Sequence, residues 1–562
     1  MSDIMKPIAF EKMMVRALEE YKTKKTIYNV NKVRPAKAGK TMEIFGQKLE
    51  NPLGIAAGPN TQLAHNILAD YAGGARFMEL KTVQIMYGEE LGIPKPCIRA
   101  DDEAYNCEWS SEFSADVARD EYIKAYFGCK VLAKELGLGD PDGFIFNMSV
   151  GYNLEGIKSD LVNNVIDTLM DASQTECFKA CRESLLGMVD SFEHVDRAFI
   201  ESISPEICRS MTLSTMHGCP PEEIEAIATY LLEEKGINTY IKCNPTLLGY
   251  DYVREILDDM GYDYITFGHE QFEHDLQMED AVPMIRRLME LAEKKNLSFG
   301  VKLTNTFQVQ IKNDELPGND MYMSGKALYP LSISVAERLS EAFDGKLPMS
   351  FSGGADKNNI QEIFRAGIWP ITVATVVLRP VGMDNIAPLA ELLEGEDYPT
   401  NRDTDTAAIK ALVEKVRTDK NYMKSDAARK KYDAHRHYSC THADTYTCRV
   451  LCKNCVRVCP NRTNEVLHLE EGDIILHVDA ICNECGNCQF FCVEPCIPYQ
   501  DRITLFDGEE MLKDSKNDGF ALDGDVFTYR FDGEVRKAPY AELPKVLKDV
   551  YDAISEQLPY LL

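Results

Sequence analysis

The sequence predicts an α/β chain, a (β/α)8 TIM barrel followed by a small domain organised around cysteines. Short apolar, β-rich segments recur up to about residue 380, each followed by a helical pattern. That alternation marks parallel β/α units, and eight of them close a barrel. Nine of the 18 cysteines fall between Cys448 and Cys496 in repeated C-x-x-C spacings, which suits metal ligation better than scattered disulfides.

The chain has 562 residues, enough for several domains with large cores. Its net charge of −29 argues against nucleic acid or an anionic membrane as partner. No stretch approaches the roughly 18 unbroken apolar residues of a membrane span. The start, MSDIMKPIAFEKMM, has no basic region followed by an apolar core, so no signal peptide and a cytoplasmic setting are expected.

Residues 1–44 read as an N-terminal helical segment, with Phe10, Met13, Met14, Ala17, Leu18 and Tyr21 on one face, then a basic stretch. The barrel is expected over 45–395. Its candidate strands are 51–58, 77–84, 143–150, 211–216, 239–244, 262–268, 299–306, 348–355 and 370–377. These are nine candidates for eight places, so either 262–268 or 299–306 lies outside the ring. Residues 396–438 turn charged and helical and read as a linker. The cysteine-rich block occupies 439–505. Residues 506–562 read as a hairpin turning at Asp532-Gly533, then a closing helix.

The first cysteine motif is Cys448-x3-Cys452-x2-Cys455-x3-Cys459-Pro460, and the second is Cys482-x2-Cys485-x2-Cys488-x3-Cys492. A cubane needs four thiolates, and one short loop supplies only three. In two-cluster ferredoxins the fourth cysteine of each run ligates the other cluster. The expected sets are therefore Cys448, Cys452, Cys455 with Cys492, and Cys482, Cys485, Cys488 with Cys459. This predicts a bacterial-type 2[4Fe–4S] ferredoxin-like domain. Structural zinc would pair one C-x-x-C with another, without the further cysteines at three-residue spacing. Cys440 and Cys496 are left over, as spare thiols or alternative ligands. The remaining eight cysteines, including the loose pair Cys177 and Cys181, read as small buried hydrophobes.

The barrel region carries, in order, NPLGIAAG, ELKTV, TLSTMHG with PEEIEAI, YIKCNPT, TNT, MSGKALYPLS, FSGGAD and VATVV. This series resembles the dihydroorotate dehydrogenase-like barrels, especially the pyrimidine-reducing half of dihydropyrimidine dehydrogenase. The start MSDIMKPI, with FIFNMSVGYNLEGIKSD and STMHGCPP, is more closely similar to the selenate reductase subunit family linked with anaerobic purine catabolism. The resemblance implies FMN. A flavin phosphate needs clustered backbone donors, which Gly353-Gly354, Ser324-Gly325 and the Ala374-Thr375 turn would supply. Lys81 and Lys242 match the family's two flavin lysines, and Ala57 and Gly58 let the ring approach the first strand.

The same resemblance places Asn153, Asn305 and Thr306 around a planar substrate ring, with Ser214 beside the proton donor; ordinary strand-end capping is the alternative for each. Residues 268–300 look like an insertion ahead of Asn305. The family has cysteine or serine as the acid where this chain has Thr215, with His217 and Cys219 just beyond. Thr215 and Cys219 are the candidate catalytic residues, and His217 reads as a loop residue. No G-x-G-x-x-G follows a strand, so an FAD/NAD(P)H-binding flavoprotein subunit or a ferredoxin is the expected donor within a hetero-oligomer. The reading is an oxidoreductase acting on CH–CH or CH–NH groups of a pyrimidine- or purine-type heterocycle. The alternatives are an electron-transfer subunit without a small substrate, and an assembly subunit with a degenerate barrel.

Overall fold

The computed structural model of the chain describes residues 5–86, 88–101, 103–108, 110–214, 218–424, 446, 448, 450–494 and 496–562. Eight parallel strands form a closed barrel: β1 (Leu53–Ile55), β2 (Phe77–Glu79), β3 (Ile145–Gly151), β4 (Cys208–Ser214), β5 (Asn238–Cys243), β6 (Phe299–Leu303), β7 (Met349–Phe351) and β8 (Ile371–Val373). Each pairs with its neighbours in chain order, and β8 returns to β1 with Ile371 opposite Leu53. Every residue of β1, β2, β7 and β8 is buried, as expected of parallel strands covered on both faces.

The ninth candidate, 262–268, forms no strand and makes only an isolated bridge from Thr266 to Gln310. Its aromatic and β-branched side chains imitate a strand. Tyr262, Ile265 and Phe267 are buried outside the ring instead, with the Tyr262 hydroxyl donating to the Tyr422 carbonyl at 2.8 Å. A charged pair lies among the barrel strands. Lys302 of β6 pairs with Glu79 of β2, both almost wholly buried, and the Thr372 hydroxyl of β8 donates to the same carboxylate at 3.2 Å.

Helices follow the strands on the outside, among them Ala64–Gly73 after β1, Ala115–Leu136 after β2, Pro221–Glu233 after β4 and Tyr329–Ala342 after β6. Two insertions meet above the ring. Ile98–Ala100 and Glu103–Asn106, between β2 and its helix, join Phe307–Gln310 and Asp320–Gly325, between β6 and its helix, in one antiparallel four-stranded sheet. The helix Thr406–Val416, within the expected linker, lies against Tyr329–Ala342, where the Ser340 hydroxyl hydrogen-bonds Thr404 and Thr406. The rest of that linker, 425–438, falls outside the described residues.

A six-stranded sheet runs Asn464–Leu469, Gly472–Val478, Thr504–Phe506, Gly519–Asp523, Val526–Phe531 and Glu534–Pro539. It therefore continues across residue 505, where the sequence suggested a boundary. The final hairpin turns at Asp532 and Gly533, both at positive φ, as the two-residue turn requires. The N-terminal helix Phe10–Lys24 buries Phe10, Met13, Met14 and Ala17, and its Arg16 pairs with Glu465 of the sheet. Among the described residues no helix is long and apolar enough to cross a membrane.

Candidate functional site

A cavity of about 500 Å³ opens at the C-terminal ends of the barrel strands, beneath the four-stranded sheet. That is the face where TIM-barrel enzymes place their sites, and the size suits a cofactor or drug-sized ligand. Its walls include Ala57 and Gly58 after β1, Lys81 after β2, Lys242 in β5, and Ser324-Gly325 at the end of the sheet. Gly353-Gly354 after β7 and Ala374-Thr375 after β8 complete them. All ten residues expected at a flavin thus line one space. Ser214, Asn305 and Thr306 line it too.

Asn153 and Cys219 are not among the lining residues. The Asn153 side chain accepts from the Gly156 N–H at 2.8 Å and caps the short helix Leu154–Ile157, the ordinary role for asparagine at that position. Cys219 is half-buried, and burial, followed by the Glu223 and Asp275 charges, pushes its thiol up to about 11. Thr215 and His217 lie outside the described residues, as does Cys440. Sequence reasoning missed Asn106, Glu108, Tyr322 and Lys326, which reach the cavity from the two insertions. No local pattern announces them, because they come together only through the Tyr322–Asn106 pairing.

The phosphate-sized end of the cavity is built by close backbone approach. Gly354 sits at φ +84°, and a Cβ there would stand 2.5 Å from the Gly325 carbonyl and 2.8 Å from Tyr329 Cβ. A Cβ on Gly353 would stand 2.1 Å from Ser332 Oγ. Ser324 and Thr375 bring their hydroxyls within 3.1 Å of each other across the same end. At the other end, burial and then the neighbouring Lys81 push Lys242 down to about 8. Two cations beside a cradle of bare backbone fit a ligand that is both planar and anionic.

The substrate-side asparagine is held from behind. Asn305 donates to the Asn244 side chain at 2.6 Å, and Asn244 donates to Asp275 at 3.1 Å. Asp275 also accepts from the Thr246 hydroxyl at 2.7 Å and from the Gly218 N–H at 2.6 Å. One buried carboxylate thereby ties Asn305 to the loop that follows Ser214.

The cysteine thiols lie within electrostatic reach of one another: Cys492, Cys448 and Cys452 act on Cys455, and Cys459, Cys485, Cys482 and Cys455 act on Cys488. No group of three His, Cys, Asp or Glu side chains among the described residues is arranged for a metal ion. A cubane holds its thiolates further apart than one ion does, because each binds a different corner. The two loops share one backbone course. The residues before and after the middle cysteine have positive φ in both, at Leu451 and Lys453 and again at Glu484 and Gly486. The Leu451 N–H donates to the Cys448 sulfur, and the Glu484 N–H to the Cys482 sulfur at 3.3 Å. Asn454 donates to the Phe491 carbonyl at 3.2 Å, and Asn487 reciprocates to the Val458 carbonyl at 2.8 Å. N–H donors on the sulfurs and a two-fold repeat of the loop both fit a pair of [4Fe–4S] clusters. The leftover Cys496 is buried and hydrogen-bonds the Cys492 sulfur.

The second loop touches the barrel. The backbone N–H groups of Cys97 and Ile98 donate to the Cys485 carbonyl at 3.0 and 2.8 Å, and Asn487 donates to the carbonyl of Leu378, a cavity residue, at 2.8 Å. Asn483 donates to Glu108 at 2.9 Å and to Glu112 at 2.6 Å. Glu108 pairs with Lys81 at 3.3 Å, and Glu112 with Lys95 at 2.9 Å. Burial raises Glu108, but the two lysines outweigh it and hold the carboxyl below the usual range. Burial, then the Glu108 charge, pushes Glu112 up to about 7.

The family model described as "Oxidoreductase YgfK, N-terminal TIM-barrel domain" matches residues 28–424. The "Putative oxidoreductase YgfK" of Escherichia coli K12 is 50% identical over 412 residues, which cover 71% of this chain and 40% of that protein. The protein of the same description from Escherichia coli O157:H7 aligns with the same figures. The alignment therefore spans less than half the length of these relatives. A crystal structure of DHODH from Eimeria tenella in complex with ferulenol is similar at 15% identity and a TM-score of 0.40, covering 68% of this chain and 89% of that one.

Proposed function

Because the chain belongs to the YgfK oxidoreductase family through its N-terminal TIM-barrel domain, we propose that it is an FMN- and iron–sulfur-dependent oxidoreductase subunit acting on a C=C or C=N bond of a pyrimidine- or purine-type heterocycle. The observation that carries this reading is a convergence. The cavity holding Lys81, Lys242 and Gly353-Gly354 is walled in part by Glu108 and Leu378, which accept hydrogen bonds from Asn483 and Asn487 of the loop of Cys482, Cys485 and Cys488. Gly353, Gly354, Ser324, Gly325, Ala374 and Thr375 would hold the FMN phosphate, Lys81 and Lys242 the ring, and Ala57 and Gly58 its underside. Bound FMN supplies hydride transfer, and clusters on the eight cysteines supply single electrons.

The chain's own residues do the rest. Asn305, steadied by Asn244 and Asp275, and the neighbouring Thr306 and Ser214 orient a planar ring through amide and hydroxyl groups. The loop after Ser214 is the candidate proton source, with Thr215 and Cys219 as its donors. A thiol pushed up to about 11 is protonated at neutral pH and gives up that proton less readily than an unperturbed one. Cys448, Cys452 and Cys492 of the first set are half-buried and Cys455 is buried, whereas all four of the second set, Cys459, Cys482, Cys485 and Cys488, are buried. This gradient supports entry of electrons at the first set from an external flavoprotein or ferredoxin.

Anaerobic purification from the native host, with iron, sulfide and flavin analysis, tests the cofactors. Turnover of uracil, thymine, xanthine and urate by the reduced protein tests the substrate class. Iron and FMN with turnover of one of these rings is the expected result. A preparation with neither iron nor flavin would overturn the reading, and cofactors without turnover of any such ring would favour an electron-transfer subunit.

A further inference from the structure

Two ion pairs flank Asn483, the buried pair Lys81–Glu108 on one side and the partly buried pair Glu112–Lys95 on the other. Asn483 lies between Cys482 and Cys485 and is 1% exposed, so its amide belongs to the cysteine loop and its partners to the barrel insertion. It is anchored from the other side as well. The Asn461 side chain donates to the Asn483 carbonyl oxygen at 2.8 Å, and the His65 ring meets the Asn461 main-chain carbonyl at 3.0 Å. Glu108 has a third partner, the buried thiol of Cys97, which donates to it at 3.3 Å. Oε2 faces Lys81, Oε1 takes the Asn483 amide and the Cys97 thiol, and the Glu112 carboxyl hydrogen-bonds Glu108 as well. Glu108 and Lys81 both reach the cavity wall.

A carboxylate this close to an ammonium offsets much of its field, and in a buried setting the offset is large. A reduced flavin is anionic near N1 and gains more from a nearby cation than the neutral oxidised ring does. Any group that offsets the Lys81 charge therefore weakens binding of the reduced form more than the oxidised one.

We propose that Glu108 is a positioning residue which, anchored by Asn483, fixes the Lys81 ammonium at the cavity wall and limits how strongly the site favours reduced over oxidised flavin. The inference rests on the FMN reading above. It adds a mechanical tie from the second cysteine loop to the cation that faces the ring, through a residue type and position that no motif marks.

The test uses the full chain with its cofactors, in wild type, Glu108→Gln and Glu108→Asp. Glutamine keeps the volume and, with its oxygen in the place of Oε1, the hydrogen bonds from Asn483 and Cys97; it removes the charge and the acceptor that faces Lys81. The ratio of reduced to oxidised FMN affinity, read from the flavin midpoint potential, should rise at least tenfold in Glu108→Gln, equivalent to about 30 mV for a two-electron couple. Glu108→Asp should fall between the two. A Glu108→Gln protein that binds FMN with the wild-type potential would overturn the proposal and leave Glu108 a structural contact. A second measurement needs no flavin. Acylation of Lys81 in the flavin-free chain, followed by peptide mass spectrometry, should accelerate at least tenfold in Glu108→Gln and at least threefold in Glu108→Asp. Unchanged labelling would refute the tie between Glu108 and Lys81. A wild-type chain without FMN would instead count against the cofactor reading, while the labelling still decides the tie.

Discussion

Substituting Gly354 by alanine puts the proposed phosphate cradle to a quantitative test. Gly354 lies at φ +84°, where a side chain costs about 1–2 kcal/mol in backbone strain. The added Cβ would also stand 2.5 Å from the Gly325 carbonyl, 2.8 Å from Tyr329 Cβ and 2.9 Å from the Tyr329 nitrogen. Two of those three atoms are backbone and cannot rotate away, so overpacking adds about 1–3 kcal/mol. The sum, about 2–5 kcal/mol, is relieved only if the loop after β7 moves away from Ser324-Gly325 and opens the cradle. Even the lower figure weakens FMN binding about 30-fold, at 1.4 kcal/mol for each factor of ten. Fluorescence titration of the flavin-stripped protein measures that affinity, and differential scanning calorimetry measures the accompanying loss of stability. Gly137→Ala is the control. It shares a positive φ of 64° at a helix end but would meet no atom within 4 Å, so it carries the backbone cost without touching the cavity. If Gly354→Ala bound FMN within threefold of wild type, the assignment of this loop to the phosphate would be wrong.

Three further outcomes are expected. Cys459→Ser should alter the electron paramagnetic resonance signal of the cluster on Cys482, Cys485 and Cys488 and leave the other intact; loss of the signal belonging to Cys452 and Cys455 would disprove the crossed ligation. Glu79→Gln should destabilise the barrel by about 3–5 kcal/mol by leaving Lys302 buried and uncompensated, and Glu79→Gln with Lys302→Met should recover part of that loss in thermal melts; equal melting of single and double variants would contradict it. Asp70 is wholly buried, neither of its oxygens has a hydrogen-bond partner among the described residues, and burial, outweighing the Arg462 charge, holds its carboxyl well above the usual range. Above about pH 4 the unfolded chain has released this proton and the folded chain keeps it, so stability falls by about 1.4 kcal/mol per pH unit until the folded group also ionises. Asp70→Asn should therefore flatten the decline in melting temperature from pH 5 upward; parallel declines in variant and wild type would show that Asp70 ionises in the folded protein as it does in the unfolded chain.

Much of this architecture was legible because its signals are local. A β-rich segment followed by a helical pattern identifies a β/α unit wherever it occurs, and the eight units of the ring lie where those patterns put them. The cysteine spacings are local too, and so is the Asp-Gly turn at 532–533. What stayed hidden is non-local. The sheet over the cavity forms from segments about 200 residues apart, Glu103–Asn106 against Asp320–Gly325, and neither alone announces a partner. Glu108 enters the site only because that sheet carries it there. Residues 262–268 show the reverse case, a convincing strand pattern whose apolar side chains found a different core. Asn153 shows a third, since one asparagine at the end of a strand reads equally as ligand or as cap, and here its oxygen accepts from the Gly156 N–H three residues on.

The two cysteine loops also show how a repeat acquires direction. Their backbones follow the same left-handed turns, with an amide donating to the first sulfur of each and asparagines bonding reciprocally across the repeat. Symmetry of that kind would give both cluster sites the same surroundings if the side chains matched. They differ at the position two residues before the middle cysteine. In the first loop it is Val450, 57% exposed; in the second it is Asn483, 1% exposed and bonded to Glu108, Glu112 and Asn461. A valine there has nothing to offer a buried carboxylate, and an asparagine exposed there would have no reason to be held. Exchanging the two side chains leaves the ligand spacing untouched, yet it would take one donor each from Glu108, which keeps Lys81 and Cys97, and Glu112, which keeps Lys95, at about 1.5–3 kcal/mol for each bond. The side chain at that one position, rather than the ligand set, distinguishes the loop that faces the barrel from the loop that faces outward.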